Sequence, residues 1–420
     1  IDPAGSSLYL WSVVFRQRDN TQKRPARETE RGRGEYLPSC PHYPDCLAGC
    51  AWIHLPYPEQ LRKKQQKVAE ALAGYPALGV LETPGVVPSP RRLGYRARVK
   101  LVVRGSQRGV ITGLYLPGSH RAVDISSCPV HPEPVNRVIG QAKREIERLG
   151  IALYDEKTDG GDLRYLDIRY SFWSREIVLT LVTRHAKFPG GAELARALKA
   201  RFGFLTGVVQ NINEDPGNVI WGAHSRLLAG RDTVIERLGP FKVRLPVGVF
   251  SQANPQVAGK LYERVRVLAA LTGGETVLDL YCGVGPIALF LAPAARLVWG
   301  VDDSALAVAT AKQNARMNGV SNCRFFAGDA AEKIADAGRD IEPVDLVVVN
   351  PPRKGLQPDA MAALATLAPP RIIYVSCEPA TLARDLDKFT AGGYRVAALQ
   401  PFDMFPQTEQ VETVALLGRV

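Results

Sequence analysis

Residues 276–292 read TVLDLYCGVGPIALFLA, and this stretch decides the fold. Thr276–Leu280 is a short apolar run with Asp279 near its end, as expected of a buried parallel strand. Gly283 and Gly285 then supply a tight turn where backbone can approach a ligand closely, and Pro286 opens a helix. The same pattern continues outward. Arg296–Val301 reads as a second strand running into Asp302, and Arg324–Ala327 as a third leading to Asp329. Val344–Val349 and Arg371–Ser376 complete a series of strands alternating with helices, the signature of a doubly wound α/β sheet. An acid after the second strand suits a ribose diol, and Asp329 is placed to reach an adenine amino group. The turn is GVG without a GxGxxG extension or a phosphate-loop lysine, so pyrophosphate is a poor fit. S-adenosylmethionine, which has ribose and adenine but no phosphate, fits better.

The fourth strand runs into Asn350-Pro351-Pro352-Arg353. Amino methyltransferases carry an aromatic after the two prolines, so Arg353 argues against methylation of an exocyclic amine. The fifth strand delivers Cys377 at its C-terminal end, where α/β active sites lie. A helix beginning beside it, at Glu378-Pro379-Ala380, is expected to lower the thiol pKa. Cys282 and Cys323 read as structural.

Upstream, Cys40, Cys46 and Cys50 fall within eleven positions, in CPHYPDCLAGC, and Cys128 follows in SSCPVHPEP. Four soft thiolates suit an iron–sulfur cluster, of the 4Fe-4S kind, or zinc. A compact triplet with a distant fourth ligand favours the cluster, because two CxxC knuckles are lacking. Pro58–Gly74 reads as a helix opened by proline and closed by glycine. Arg91, Arg92, Arg96, Arg98, Lys100, Arg104 and Arg108 follow with no acid between them. Arg96, Arg98 and Lys100 alternate with Ala97, Val99 and Leu101, which predicts a strand with one cationic face. Further strands are expected at Val110–Leu116, Leu163–Tyr170, Ile177–Thr183 and Gly207–Ile212, with helices near 131–149 and 191–202. The result is a mixed α/β unit on an antiparallel sheet, whose cations are expected to contact RNA phosphate.

The whole chain of 420 residues carries 53 Lys and Arg against 42 Asp and Glu, a net charge of +11 that favours an acidic partner such as RNA. Its hydrophobic share of 46% excludes wholesale disorder, and the lack of eighteen consecutive apolar residues excludes a membrane-spanning helix. Unpaired-looking cysteines in a long chain point to a reducing, cytoplasmic setting. Four segments are expected: a flexible basic tail (1–39), a cysteine loop with its helix (40–90), a central RNA-binding unit (91–240) and a catalytic domain (241–420).

Taken together, LDLYCGVG, VNPPRKG, FSQANPQVA, YVSCEPATLARDL, PFDMFPQTEQVETVALL and the cysteine loop resemble the RNA uracil-C5 methyltransferases over roughly residues 40–420. The resemblance implies a class I S-adenosylmethionine-dependent methyltransferase domain and 5-methyluridine as product. It implies Cys377 as the nucleophile that adds to uracil C6, and Glu412 as the base that removes the C5 proton, with its pKa raised by burial. It places Gln252, Tyr281, Gly283, Gly285, Asp302, Asp329 and Asn350 around the methyl donor; Gln252 is equally suited to the flipped uracil. PEQL, NPPR and FDMFP look closest to the type that lacks an N-terminal TRAM domain and acts on 23S ribosomal RNA. A transfer-RNA enzyme on the same machinery, a ribosomal RNA-binding assembly factor with a decayed site, and a zinc-stabilised RNA module are the alternatives. Three features depart from the family pattern. Three residues rather than two separate Cys46 from Cys50, SCNP has become SCEP with Glu378, and two histidines are replaced by Gln407 and Gln410.

Overall fold

The alternation of buried β-branched runs and amphipathic helices yields two large sheets that share a core. The computed structural model describes residues 37–420, apart from 47–48, 108, 117, 126, 218 and 341–342. Most of the expected basic tail, Arg108 of the cationic run, and two residues of the Cys46–Cys50 spacer therefore lie outside the described residues.

Helix α1 (Tyr57–Ala73) leads into the central unit. There β1 (Arg98–Ser106), β2 (Gly109–Tyr115), β3 (Ala122–Asp124), β4 (Leu163–Tyr170), β5 (Ile177–Thr183), β6 (Leu205–Ile212) and β7 (His224–Gly230) form a sheet ordered β3-β2-β1-β4-β5-β6-β7. Its pairings are antiparallel except β5 with β6. Helices α2 (Glu133–Arg148) and α3 (Gly191–Arg201) cover one face, packing on Val99, Leu101 and Val103 of β1. The period-2 alternation of β1 thus sends its cations to the other face, as the sequence pattern requires.

That face is not the open phosphate-binding row expected from the sequence. Arg98 donates to both carboxylate oxygens of buried Asp167 on β4 and, at 3.0 Å, to the Val249 carbonyl. Arg169 is buried and donates to the same carbonyl at 2.6 Å. Burial draws the Lys100 ammonium down to about 8, with Arg98 beside it acting in the same direction. Arg98 and Lys100 are thus half-buried, with Arg98 taken up by an acid on β4 that no local pattern in β1 reveals, whereas Arg91 and Arg92 stay exposed.

A hairpin, β8 (Thr233–Leu238) and β9 (Phe241–Pro246), joins the two halves. The second sheet follows α4 (Pro255–Ala269) and contains β10 (Thr276–Leu280), β11 (Leu297–Asp302), β12 (Cys323–Ala327), β13 (Leu346–Val349), β14 (Arg371–Ser376), β15 (Tyr394–Phe402) and β16 (Glu412–Arg419). Between them run α5 (Pro286–Leu291), α6 (Ala305–Met317), α7 (Ala330–Asp340), α8 (Pro358–Leu367) and α9 (Pro379–Ala391). The order is β12-β11-β10-β13-β14-β16-β15. The first five strands pair in parallel, whereas β16 is antiparallel to both β14 and β15. Every strand of the parallel set is nearly continuous in apolar residues because helices pack on both faces. The strand order reverses beside β10, the place where open α/β sheets bind ligands.

Among the described residues, no helix is long and apolar enough to cross a membrane.

Candidate active site

At the C-terminal end of β10 the backbone turns back on itself. Tyr281, Gly283 and Gly285 all adopt positive φ, at 59°, 55° and 81°. A Cβ on Gly285 would stand 3.1 Å from the Phe325 ring and from Ala311, so the turn and the neighbouring helix fit only without a side chain. The turn aims the Gly283 N–H at Asp302 Oδ2, at 2.8 Å, while the Ser304 N–H meets Oδ1 at 3.0 Å. Burial pushes the Asp302 carboxyl up to about 6, against the pull of these two donors. Its side chain also bonds that of Asp303, a second carboxyl at the same strand end.

Gln252, Tyr281, Gly283 and Asn350 line one cleft together with Phe250 and Tyr262. Gln252 arrives from the segment before α4, Tyr281 and Gly283 from the β10 turn, and Asn350 from the end of β13. Asp302 joins the cleft through its bond to Gly283. Gly285 packs beneath the turn. Asp329 lies near the Tyr281 hydroxyl, whose proton is held up to about 12 chiefly by burial and secondarily by that carboxylate. One Asp329 oxygen already caps α7, accepting from the Ala331 and Glu332 N–H groups at 2.8 and 3.2 Å.

The second half of the site sits where β14 and β16 meet. Their register pairs Ser376 with Thr413, which brings Cys377 and Glu412, the next residue on each strand, to the same end of the sheet. Cys377 is half-buried and Glu412 only 3% exposed. Burial pushes the Glu412 carboxyl up to about 7, opposed by the Arg353 guanidinium. Burial also pushes the Cys377 thiol up to about 12, reinforced by the Glu412 charge and relieved by Arg353. The raised Glu412 pKa agrees with expectation. The thiol does not: α9 begins beside it, but desolvation and two neighbouring carboxylates, Glu412 and Glu378, outweigh the helix N-terminus.

Arg353 is a charged neighbour of both Cys377 and Glu412 that motif reading passed over. Its carbonyl accepts from Thr381 Oγ1 at 3.0 Å, tying the Pro351-Pro352-Arg353 turn to α9. A cation directly after the strand-end Asn-Pro-Pro was the available signal, and it was read only as a mark against amine chemistry. Tyr262 links the two halves, since it lines the cleft and its hydroxyl is held up by burial and then by the Glu412 charge.

A family model described as tRNA (Uracil-5-)-methyltransferase matches residues 222–420. A protein of Geobacter sulfurreducens named as an uncharacterized RNA methyltransferase is 42% identical over 380 residues, covering 90% of this chain and 77% of its own. This chain belongs to the RNA uracil-5 methyltransferase family. A second relative, an RNA methyltransferase of Clostridium tetani, is 38% identical over 90% of this chain and 82% of its own. The solved structure of a Pyrococcus abyssi tRNA (uracil-54, C5)-methyltransferase in complex with S-adenosyl-L-homocysteine is also similar. It is 29% identical with a TM-score of 0.72, over 91% of this chain and 88% of that one.

In this methyltransferase Cys282 and Cys323 are buried core residues, as expected. The cysteine loop is a different matter. Cys40, Cys46, Cys50 and Cys128 do converge from two segments, and His42 Nε2 meets the Ser127 carbonyl at 3.0 Å to hold those segments together. Burial pushes the Cys50 thiol up to about 12, with Cys128, Cys46 and Cys40 adding to it. Yet no group of three or more His, Cys, Asp or Glu among the described residues is arranged to hold a metal ion.

Proposed function

We propose that this enzyme transfers a methyl group from S-adenosylmethionine to C5 of a uridine in RNA, with 23S ribosomal RNA as the first substrate to test. The observation that carries the reading is the gathering at one sheet end of a half-buried thiol, Cys377, and a buried carboxylate, Glu412, both acted on by the Arg353 charge, with the Gln252–Tyr281–Asn350 cleft in the same domain. The Asp302 cradle suits the ribose diol of the donor, whose sulfonium supplies an electrophilic methyl group. Gln252 and Asn350, which line the same cleft, would orient donor and base.

Uracil C5 is too weak a nucleophile for that methyl group unless the ring is first activated. Cys377 Sγ, as thiolate, forms a bond to C6, and the C5=C6 electron pair moves into an enolate ending on O4. C5 then bonds to the methyl carbon as the carbon–sulfonium bond breaks, releasing neutral S-adenosylhomocysteine. Glu412 takes the C5 proton, the freed pair rebuilds C5=C6, and the Cys377 thiolate departs. Arg353 lies where it favours the thiolate and the Glu412 carboxylate alike. The target uridine must leave its stack to reach Cys377, at a cost of a few kcal/mol, which favours loops.

Transfer RNA is the second reading, favoured by the likeness to the Pyrococcus abyssi tRNA enzyme over most of both chains. Unmodified 23S and transfer RNA, given the same labelled donor and followed by nucleoside analysis, separate the two. Labelled 5-methyluridine is expected in the ribosomal RNA; label in transfer RNA alone would reverse the assignment, and label in neither would remove it.

The four gathered thiols have the softness for an iron–sulfur cluster, and we propose that Cys40, Cys46, Cys50 and Cys128 close on one. Protein purified without oxygen is expected to be brown and to contain iron and sulfide. Replacing Cys128 by Ser should lose both, whereas zinc in their place, or no metal, would refute the cluster.

A further inference from the structure

The Cys377–Glu412 pair depends on a connection that has no regular structure. Between Phe402, which pairs with Glu412 across β15 and β16, and Glu412 itself, residues 403–411 leave the sheet and return. Residues 403–408 are nonetheless buried throughout. Buried irregular backbone must find partners elsewhere, and here they come from distant parts of the chain. The Met404 carbonyl accepts from Asn254, Phe405 from Lys64 at 2.9 Å, Pro406 from Tyr95 at 3.0 Å and Gln407 from the Trp52 N–H at 2.9 Å.

Two of these contacts, from Trp52 and Lys64, and several more to the side chains of the loop come from the segment that follows the cysteine loop. Lys64 Nζ lies 2.5 Å from Asp403 Oδ1, with both side chains fully buried, and Tyr57 donates to Asp403 Oδ2 at 2.7 Å. Gln60 Nε2 donates to Gln407 Oε1 at 2.8 Å, and its own oxygen accepts from the Gln407 N–H at 2.9 Å. Gln407 holds φ at +72°, a conformation that this two-point clasp favours. A buried ion pair is seldom the cheapest way to stabilise a fold, since apolar residues of like volume often serve better. What it supplies is direction: Lys64 can satisfy Asp403 and the Phe405 carbonyl together in only one placement of the loop.

We infer that Lys64 and Gln60 of α1 are positioning residues for Glu412, acting through the 403–408 loop, so that the helix after the cysteine loop sets the geometry of proton removal. The inference rests on the assignment of Glu412 as the base. It also gives a role to one of the family departures, because Gln407 is the residue that Gln60 clasps.

The test uses the full chain. Lys64→Met should lower kcat roughly ten- to a hundredfold, as expected for a reacting group displaced by about 1 Å. The KM for RNA and the affinity for S-adenosylhomocysteine should change less than about twofold, since neither site touches Lys64. Because only proton removal is impaired, the methylated RNA should accumulate as a covalent adduct on Cys377, seen as a shifted band in a denaturing gel. In a Glu412→Gln background, Lys64→Met should lower kcat no further. Should Lys64→Met leave an unfolded chain, Gln60→Leu and the charge-free pair Lys64→Met with Asp403→Leu carry the same test. Unchanged kcat in the folded variants, or a further loss in the Glu412→Gln background, would overturn the inference. Adduct trapping by Glu412→Gln but not by the α1 variants overturns it alone; full turnover by Glu412→Gln removes the base assignment and this inference with it.

Discussion

Cys377→Ala is expected to abolish methyl transfer, lowering turnover on the order of 10⁴–10⁶-fold, the scale on which enzymes fail when a nucleophile acting as part of a unit is removed. Donor affinity should be unaffected, because Asp302, Gln252 and Asn350 stand on other elements. RNA binding should persist, and no enzyme–RNA band should survive denaturation. In the free enzyme the thiol is protonated at neutral pH, with its pKa pushed up to about 12. Nucleophilic attack thus requires the thiol to lose its proton as the base docks, and Arg353 is the cation placed to favour that loss. Measurable turnover by Cys377→Ala would end the covalent scheme and leave direct attack by C5 as the only route.

Glu412→Gln should have a different signature. Addition to C6 and methyl transfer need no base at this position, so the variant should still attach to RNA and methylate it, then stall. Turnover should fall about 10²–10⁴-fold, the usual contribution of one positioned acid or base, with adduct accumulating. Wild-type turnover should rise with pH as Glu412 ionises near 7. Stability should move the opposite way. In the unfolded chain this carboxyl titrates near its ordinary value of 4.5, whereas in the native state burial holds it near 7. Between those values the native state binds more protons than the unfolded state, so stability falls as pH rises and stays low above about 7. Removing the charge with Gln should recover up to about 3 kcal/mol at pH 8 and little at pH 4. Thermal unfolding of both proteins at the two pH values measures this; a Glu412→Gln protein no more stable than wild type at pH 8 would mean that the carboxylate is solvated.

Much of the catalytic sheet could be read locally. Strands Thr276–Leu280 and Arg371–Ser376 begin and end where the apolar runs do, because both faces of a parallel strand are buried and nothing else in the chain competes for the pattern. The glycine turn and Asp302 were legible for the same reason: Gly283 and Gly285 beside a strand end mark a turn of positive φ, and the acid follows at the next strand end, whereas the positive φ of Tyr281 carried no such mark. Arg96, Arg98 and Lys100 were legible only as cations on alternating positions, and Arg169 was not marked at all. That Asp167 and the Val249 carbonyl would take up Arg98 depends on β1 pairing with β4, 69 residues away between Arg98 and Asp167. The Cys377 thiol shows the same limit. Its helix N-terminus is local and visible, but Glu412 and the depth of burial come from β16, and they decide the sign of the shift.

The sequence by itself determined the doubly wound sheet, the Gly283 turn, Asp302 and the strand-end place of Cys377, which follow from periodicity and turn chemistry, while Glu412 was marked by the resemblance of the ordered motifs to the uracil-C5 methyltransferases. Only the tertiary structure decided that the Arg353 charge acts on both Cys377 and Glu412, that Asp167 takes up Arg98 of the cationic strand, and that α1 grips the loop leading to Glu412. These are pairings across the chain between Lys64 and Asp403, or Gln60 and Gln407, separated by hundreds of residues. Burial and Coulomb interactions act through space, and no local spacing of residues encodes them.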